Sequence, residues 1–369
     1  MNQLFRLDQM GLFLLALAAG ILPFAVPEVC AAALREGLAL CCGPLLLSLL
    51  PFLVVSRLLV QCPESDLLAL LFRLAAWGIG IRTPCAARVL CIGFLGGFAP
   101  AASAAAQAVR TGQLTAEEAD ALLPACICSG PSFVVLTVGQ SLLGSAELGV
   151  LLFASQITAN YLTAALLNRF AGVRSVKPGS AAPASPAPPR LDEILADAAI
   201  TYCKLCGFIL FFRMLAAGAG ALLPAGAGTL CSILLEVCSG CDLASRTGRW
   251  GSLLCCAALS VQGLSVLLQV RTICPPEMTL RPLYRARTLH LPLSLALFYL
   301  LLPGGEADVF STLPARVLLM RRVPPDCALL VFAVCCMAAC TLRSGIRQVE
   351  QKQMARNAGG CCINSKTLL

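Results

Sequence analysis

Glu236 is the one charged residue in the apolar run 229–237, which reads TLCSILLEV. A carboxylate held at the centre of a bilayer costs on the order of 3 kcal/mol or more, so it must be protonated, paired or bound to a cation. Glu236 is therefore expected to coordinate a coupling ion, to take up a proton, or to accept backbone N–H groups that a helix turn leaves orphaned. The other polar groups in apolar surroundings stand at or just beyond a Gly or Pro. Ser103 and Gln107 follow Gly97 and Phe98, Ser129 and Ser132 flank Gly130-Pro131, Ser239 precedes Gly240, and Ser265 and Gln269 follow Gly263. At such places a broken helix presents N–H donors and a positive dipole end to a carboxylate, while C-terminal ends and side-chain oxygens suit a cation. The candidate substrate-binding set is Gly97, Phe98, Ser103, Ser129, Gly130, Ser132, Glu236, Ser239, Gly263, Ser265 and Gln269.

The elements that carry these residues are membrane helices. Of the 369 residues, 58% are hydrophobic and 12% charged, against about 45–50% and about 25% in soluble domains. Half the charge of a water-facing surface is missing, so the chain reads as a polytopic membrane protein. Continuous apolar spans lie at 11–26, 38–60, 146–170, 203–222, 250–270, 289–302 and 327–341. The first could pass for a signal peptide but lacks an A-x-A cleavage site and is kept as a helix. The 22 Cys lie mostly inside apolar runs and read as small buried hydrophobes, including the C-x-x-C pairs Cys203/Cys206 and Cys238/Cys241. Aromatic residues at 6% and a single His, His290, argue against haem and against a histidine-rich metal site. Catalytic triads, P-loops and paired carboxylates are absent, so no enzyme chemistry is expected. The net charge of +8 sits in short loops and a tail, which is topology information and no sign of nucleic-acid binding.

A Pro/Ala/Ser stretch within 171–190 divides the chain into a membrane half at 1–170 and a second at 191–341, followed by a basic tail at 342–369. Each half has the same plan. In the first, 85–98 is too short to span and meets Gly96, Gly97 and Pro100 before a small-residue helix resumes at 101–109. A capping box, Thr115 with Glu118, then starts a helix that Ser129-Gly130-Pro131 breaks. In the second, 229–237 enters, Ser239-Gly240 turns and 243–249 returns; 250–270 then crosses with an interruption at 262–265. The expected architecture is all-α, with two inverted repeats, each a re-entrant helical hairpin followed by a broken transmembrane helix.

Orientation follows from Lys and Arg in short loops. The tail, the central linker (Arg169, Arg174, Lys177, Arg190) and the 271–287 loop (Arg281, Arg285) belong in the cytosol. Counting spans between them makes the two hairpins enter from opposite faces. The same count leaves Arg316, Arg321 and Arg322 outside, against the rule. Arg57, Arg73 and Arg213 lie near helix ends and are expected to snorkel to the interface.

At these motifs the chain resembles the sporulation integral membrane proteins of the YlbJ (stage V sporulation, SpoVV) family, which carry the nucleoside-recognition, or Gate, domain. The resemblance runs from about Glu28 to Arg287 and rests on residues 50–52, 96–102, 112–123, 129–133 with Val138-Gly139, 235–240, and 263–266 with Gln269. More distantly, the halves look like the hairpin-plus-broken-helix repeats of concentrative nucleoside transporters. The resemblance implies transport of dipicolinic acid across the outer forespore membrane by alternating access, in an endospore-forming bacterium. It departs from the family pattern at three places: the first hairpin tip has Ser103 where a lysine is usual, Ile127-Cys128 replaces an Asn pair, and Leu267 replaces a His. Two other functions stay open, an ion-coupled transporter of nucleoside-type solutes and a non-transporting sporulation membrane scaffold. A multi-pass place in the cell membrane or outer forespore membrane, a small-molecule substrate and lipid partners follow. No resident cofactor and no metal is expected, coupling would be to H+ or Na+, and a homo-oligomer is compatible with the reading.

Overall fold

The computed structural model describes residues 2–61, 69–171 and 191–302. Their regular structure is all-helical. The chain opens with α1 (Asn2–Ala25) and α2 (Pro27–Cys42), bent by 110° where Pro27 removes a backbone donor and its ring crowds the preceding turn. α3 (Pro44–Gln61) follows. The continuous span expected over 38–60 is thus two helices, since Gly43 leaves helical geometry at φ −114° and ψ −108° before Pro44. After α4 (Leu70–Gly78), α5 (Pro84–Gly96) and α6 (Phe98–Arg110) fold back on each other. The fold-back brings Gly93 and Ala101 together, with only 3.2 Å between the Ala101 methyl and the place a Gly93 Cβ would occupy.

α7 (Ala116–Cys126) starts at the expected capping box, both halves of which form: the Thr115 hydroxyl accepts from the Glu118 N–H, and the Glu118 carboxylate accepts from the Thr115 N–H. It ends before a non-helical stretch that leads into a π-helix, Ser132–Leu142. The long helices α8 (Ala146–Ala171) and α9 (Leu191–Leu222) come next. The second half continues with α10 (Ala225–Leu235), α11 (Val237–Ser245), α12 (Gly251–Val261), α13 (Gly263–Ile273) and α14 (Arg281–Leu301).

Three stretches, Ala146–Ala171, Leu191–Leu222 and Gly248–Ile273, are long and apolar enough to cross a membrane, and four if the bent α1–α2 pair counts as one span. Large apolar side chains such as Phe24, Leu71, Phe170 and Leu300 are exposed along the helices, as lipid requires and water would penalise. The chain is an integral membrane protein. The Pro-rich residues 172–190, the expected last span at 327–341, the basic tail and the Arg316 cluster lie outside the described residues.

The two halves are packed into each other. α3 lies between α6 of its own half and α9 of the other, while α14 packs on α7 and α8. Two of the arginines expected to snorkel instead pair between the halves. Arg57 on α3 reaches Asp197 on α9, and Arg213 on α9 donates to Glu36 on α2 at 2.8 Å. Only Arg73 lies exposed, its guanidinium over the Trp77 ring. Asp120 on α7 accepts from the Thr279 and Leu280 N–H groups at 2.8 and 3.1 Å, which fixes where α14 begins.

Candidate functional site

Four helix breaks meet at one place in the core. The first is Gly97, whose φ of 81° only glycine adopts without strain. The second is the stretch between Cys126 and Ser132, where the chain leaves helical geometry at Ile127 and Pro131 opens the next helix. These two abut: a Cβ on Gly97 would lie 2.7 Å from the Gly130 nitrogen. The third is Glu236, extended at φ −151°, and the fourth is the pair Gln262 and Gly263, at φ 66° and 68°. They abut as well, since a Cβ on Gly263 would sit 3.0 Å from the Glu236 nitrogen. The Gln262 amide joins the two pairs by donating to the Ser129 hydroxyl at 3.4 Å.

The sequence places the turn of the second hairpin at Ser239-Gly240, and the structure moves it to Glu236. Both Glu236 carboxylate oxygens accept N–H groups of α11, from Cys238 at 2.9 Å and Ser239 at 2.7 Å. A carboxylate at a helix N-terminus satisfies orphan donors and meets the positive end of the dipole, so Glu236 starts α11 without glycine. Gly240 serves packing instead: it lies inside α11, and its Cβ would come within 2.8 Å of the Ile233 Cα on α10. The starts of α6, the π-helix and α13 have no side-chain cap.

A cavity of about 70 Å³ lies among these ends. Phe98, Ser129, Gly130, Ser132, Glu236 and Gln269 line it, with Phe52, Phe133, Cys238 and Val266. The starts of α6, the π-helix and α11 border it directly, so three positive helix ends face one shared space. Gln269 is buried, donates to the Ser265 hydroxyl at 2.9 Å and leaves its amide oxygen without a partner. The cavity therefore offers donors, two serine hydroxyls and one free acceptor. It exceeds the roughly 10–15 Å³ that one water needs and is smaller than the roughly 150 Å³ pocket that admits benzene.

Of the residues expected to bind substrate, Gly97 and Gly263 form the breaks behind the cavity, and Ser265 holds Gln269. Ser239 gives its N–H to Glu236 and faces a second, open cavity of about 520 Å³. Ser103 is buried in α6 and lines neither. The second cavity flanks the first turn of α11; its wall is mostly apolar, with Val29, Ala217 and Leu243 among its residues, and Glu36, Arg213, Asp242 and Arg246 add charged groups to it.

Sequence reasoning missed a buried polar layer behind the breaks. Gln156 on α8 donates to the Ser260 hydroxyl at 2.9 Å, His290 on α14 faces the Gln156 carbonyl at 3.2 Å, and Arg287 donates to the Ile127 carbonyl at 2.6 Å. Its signal was Arg287 and His290 three apart, hence on one helix face, leading into the span at 289–302. No group of three or more His, Cys, Asp or Glu able to hold a metal occurs among the described residues, and their cysteines are free. No family model, curated protein or solved structure matches the chain.

Proposed function

We propose that this chain is a secondary transporter of a small organic anion, with dipicolinic acid as the first candidate, and that it works by alternating access. The observation that carries the reading is the convergence of three positive helix ends on a cavity that holds one carboxylate, Glu236. Hydrocarbon tolerates non-helical backbone only where protein or a wet cavity surrounds it; three of the four breaks border this cavity, and the fourth packs against Glu236 behind it. In the proposed membrane arrangement, α5–α6 and α10–α11 are re-entrant hairpins of two inverted repeats, each followed by a broken span. The family resemblance at residues 96–102, 129–133 and 235–240 supports the sporulation role and the outer forespore membrane.

Glu236 occupies the N–H donors that an incoming carboxylate would use. When Glu236 takes a proton, it stops competing, and a substrate carboxylate accepts from the Cys238 and Ser239 N–H groups in its place. The second carboxylate of a compact dicarboxylate meets the uncapped starts of α6 and the π-helix. One proton then enters with each anion. The 520 Å³ cavity beside α11, with charged groups on its wall, is the approach, and the small central cavity must widen to admit an aromatic ring.

Labelled dipicolinate uptake into liposomes holding the purified protein tests this. Uptake is expected to accelerate when the donor side is acidified, and Glu236→Gln is expected to lose that acceleration. Wild-type rates and pH dependence in both Glu236→Gln and Glu236→Ala would remove Glu236 from coupling. The tight contact between Gly97 and Gly130 favours a second reading, in which the breaks serve packing alone within a membrane scaffold. That reading requires no uptake of dipicolinate or nucleosides by the wild type.

A further inference from the structure

Arg287 is a buried cation whose partners are helix ends. It extends from α14 and donates to the Ile127 carbonyl at 2.6 Å and the Ser260 carbonyl at 3.3 Å. Ile127 directly follows α7, and Ser260 is in the last turn of α12. One guanidinium thus bridges the C-terminal ends of the two broken helices, one from each half of the chain. Among the described residues no carboxylate pairs with it, and its Nε has no partner.

An isolated buried charge is expensive, so something must balance it. Each helix C-terminus carries about half a negative elementary charge, and two such ends supply about one, which matches a guanidinium. The same paired carbonyl ends, exposed by broken helices inside a membrane, are the groups that hold a metal cation in ion-coupled transporters. Asp120 fixes the start of α14 and so sets the reach of Arg287.

We infer that Arg287 is a tethered cation, standing where a free monovalent cation would otherwise neutralise the ends of α7 and α12, and that the protein consequently needs no Na+ at this place. The assignment rests on the helix-end geometry and holds whether or not the chain transports dipicolinate.

The test is thermal unfolding of purified full-length protein in sodium, potassium or choline chloride of equal ionic strength. Wild type should melt at one temperature in all three. Arg287→Ala and Arg287→Gln should melt several degrees lower in choline and recover selectively with Na+ or with millimolar guanidinium, which can enter the vacated space. Arg287→Lys, which keeps the charge, should not require sodium. A saturable sodium-specific stabilisation that is as large in the wild type as in Arg287→Gln would overturn the inference, because removing the guanidinium would then have vacated no cation place. Equal melting of the neutral variants in all three salts would also overturn it, since loss of packing alone does not distinguish cations. Should Arg287→Ala fail to fold, the wild-type titration and Arg287→Gln decide.

Discussion

Glu236 performs two tasks that are separable by substitution. As a cap it satisfies the Cys238 and Ser239 N–H groups. Glu236→Ala should therefore destabilise the protein by about 1–3 kcal/mol, the cost of leaving buried donors unmatched, with Glu236→Gln closer to wild type because its amide oxygen still accepts. Thermal melts of the two variants check this, and equal loss in both would show that charge, and not hydrogen bonding, holds the turn. Gly97 is the second sensitive residue. Gly97→Ala meets both the positive φ and the Gly130 nitrogen 2.7 Å away, so it should cost at least the roughly 1–3 kcal/mol of a strained backbone position. An unchanged melting temperature would mean that the first break rearranges freely. Gly97, Pro131 and Gly263 were legible because Gly and Pro act locally. The turn at Glu236 was not, because a carboxylate that caps its own helix leaves no such mark, and the nearby Gly240 pointed to the wrong residue.

At the scale of helices, the breaks are held by contacts between distant segments. Gly240→Ala would place a Cβ within 2.8 Å of the Ile233 Cα and prise α11 from α10. It is expected to lower stability and slow uptake together, and uptake at the wild-type rate would show that the hairpin need not stay closed-packed. The α3–α9 contact gives an asymmetric expectation. Arg57 is 10% exposed and Asp197 60% exposed, so the solvated aspartate contributes little by itself. Arg57→Ala should cost more stability than Asp197→Ala, because it also removes buried packing against α9. The reverse order would mean that leaving the buried Arg57 guanidinium unpaired costs more than losing its packing. Neither pairing was readable beforehand: sequence shows an arginine near a helix end, whereas only the fold brings residues 57 and 197 together. The capping box at Thr115 was readable, because both of its partners lie within one turn.

Taken whole, the molecule packs its N-terminal and C-terminal helices into each other, and their breaks meet around one small cavity. Composition alone made the chain a membrane protein, since its low charge and long apolar runs need no tertiary information. Most of the helix breaks were visible as well, because Gly and Pro mark them locally. That the four breaks meet at one place, and that Arg287 closes two helix ends from behind, depends on contacts between the halves and could not be read along the chain. Ser132 lines that cavity and gives the most direct measurement. In full-length Ser132→Cys protein in liposomes, labelling by a membrane-impermeant thiol reagent added to one side or the other can be located at position 132 by mass spectrometry. A chamber that opens alternately should react from both sides and be protected by dipicolinate. No reaction from either side, or reaction that dipicolinate leaves unchanged, would contradict transport of that anion through the chamber.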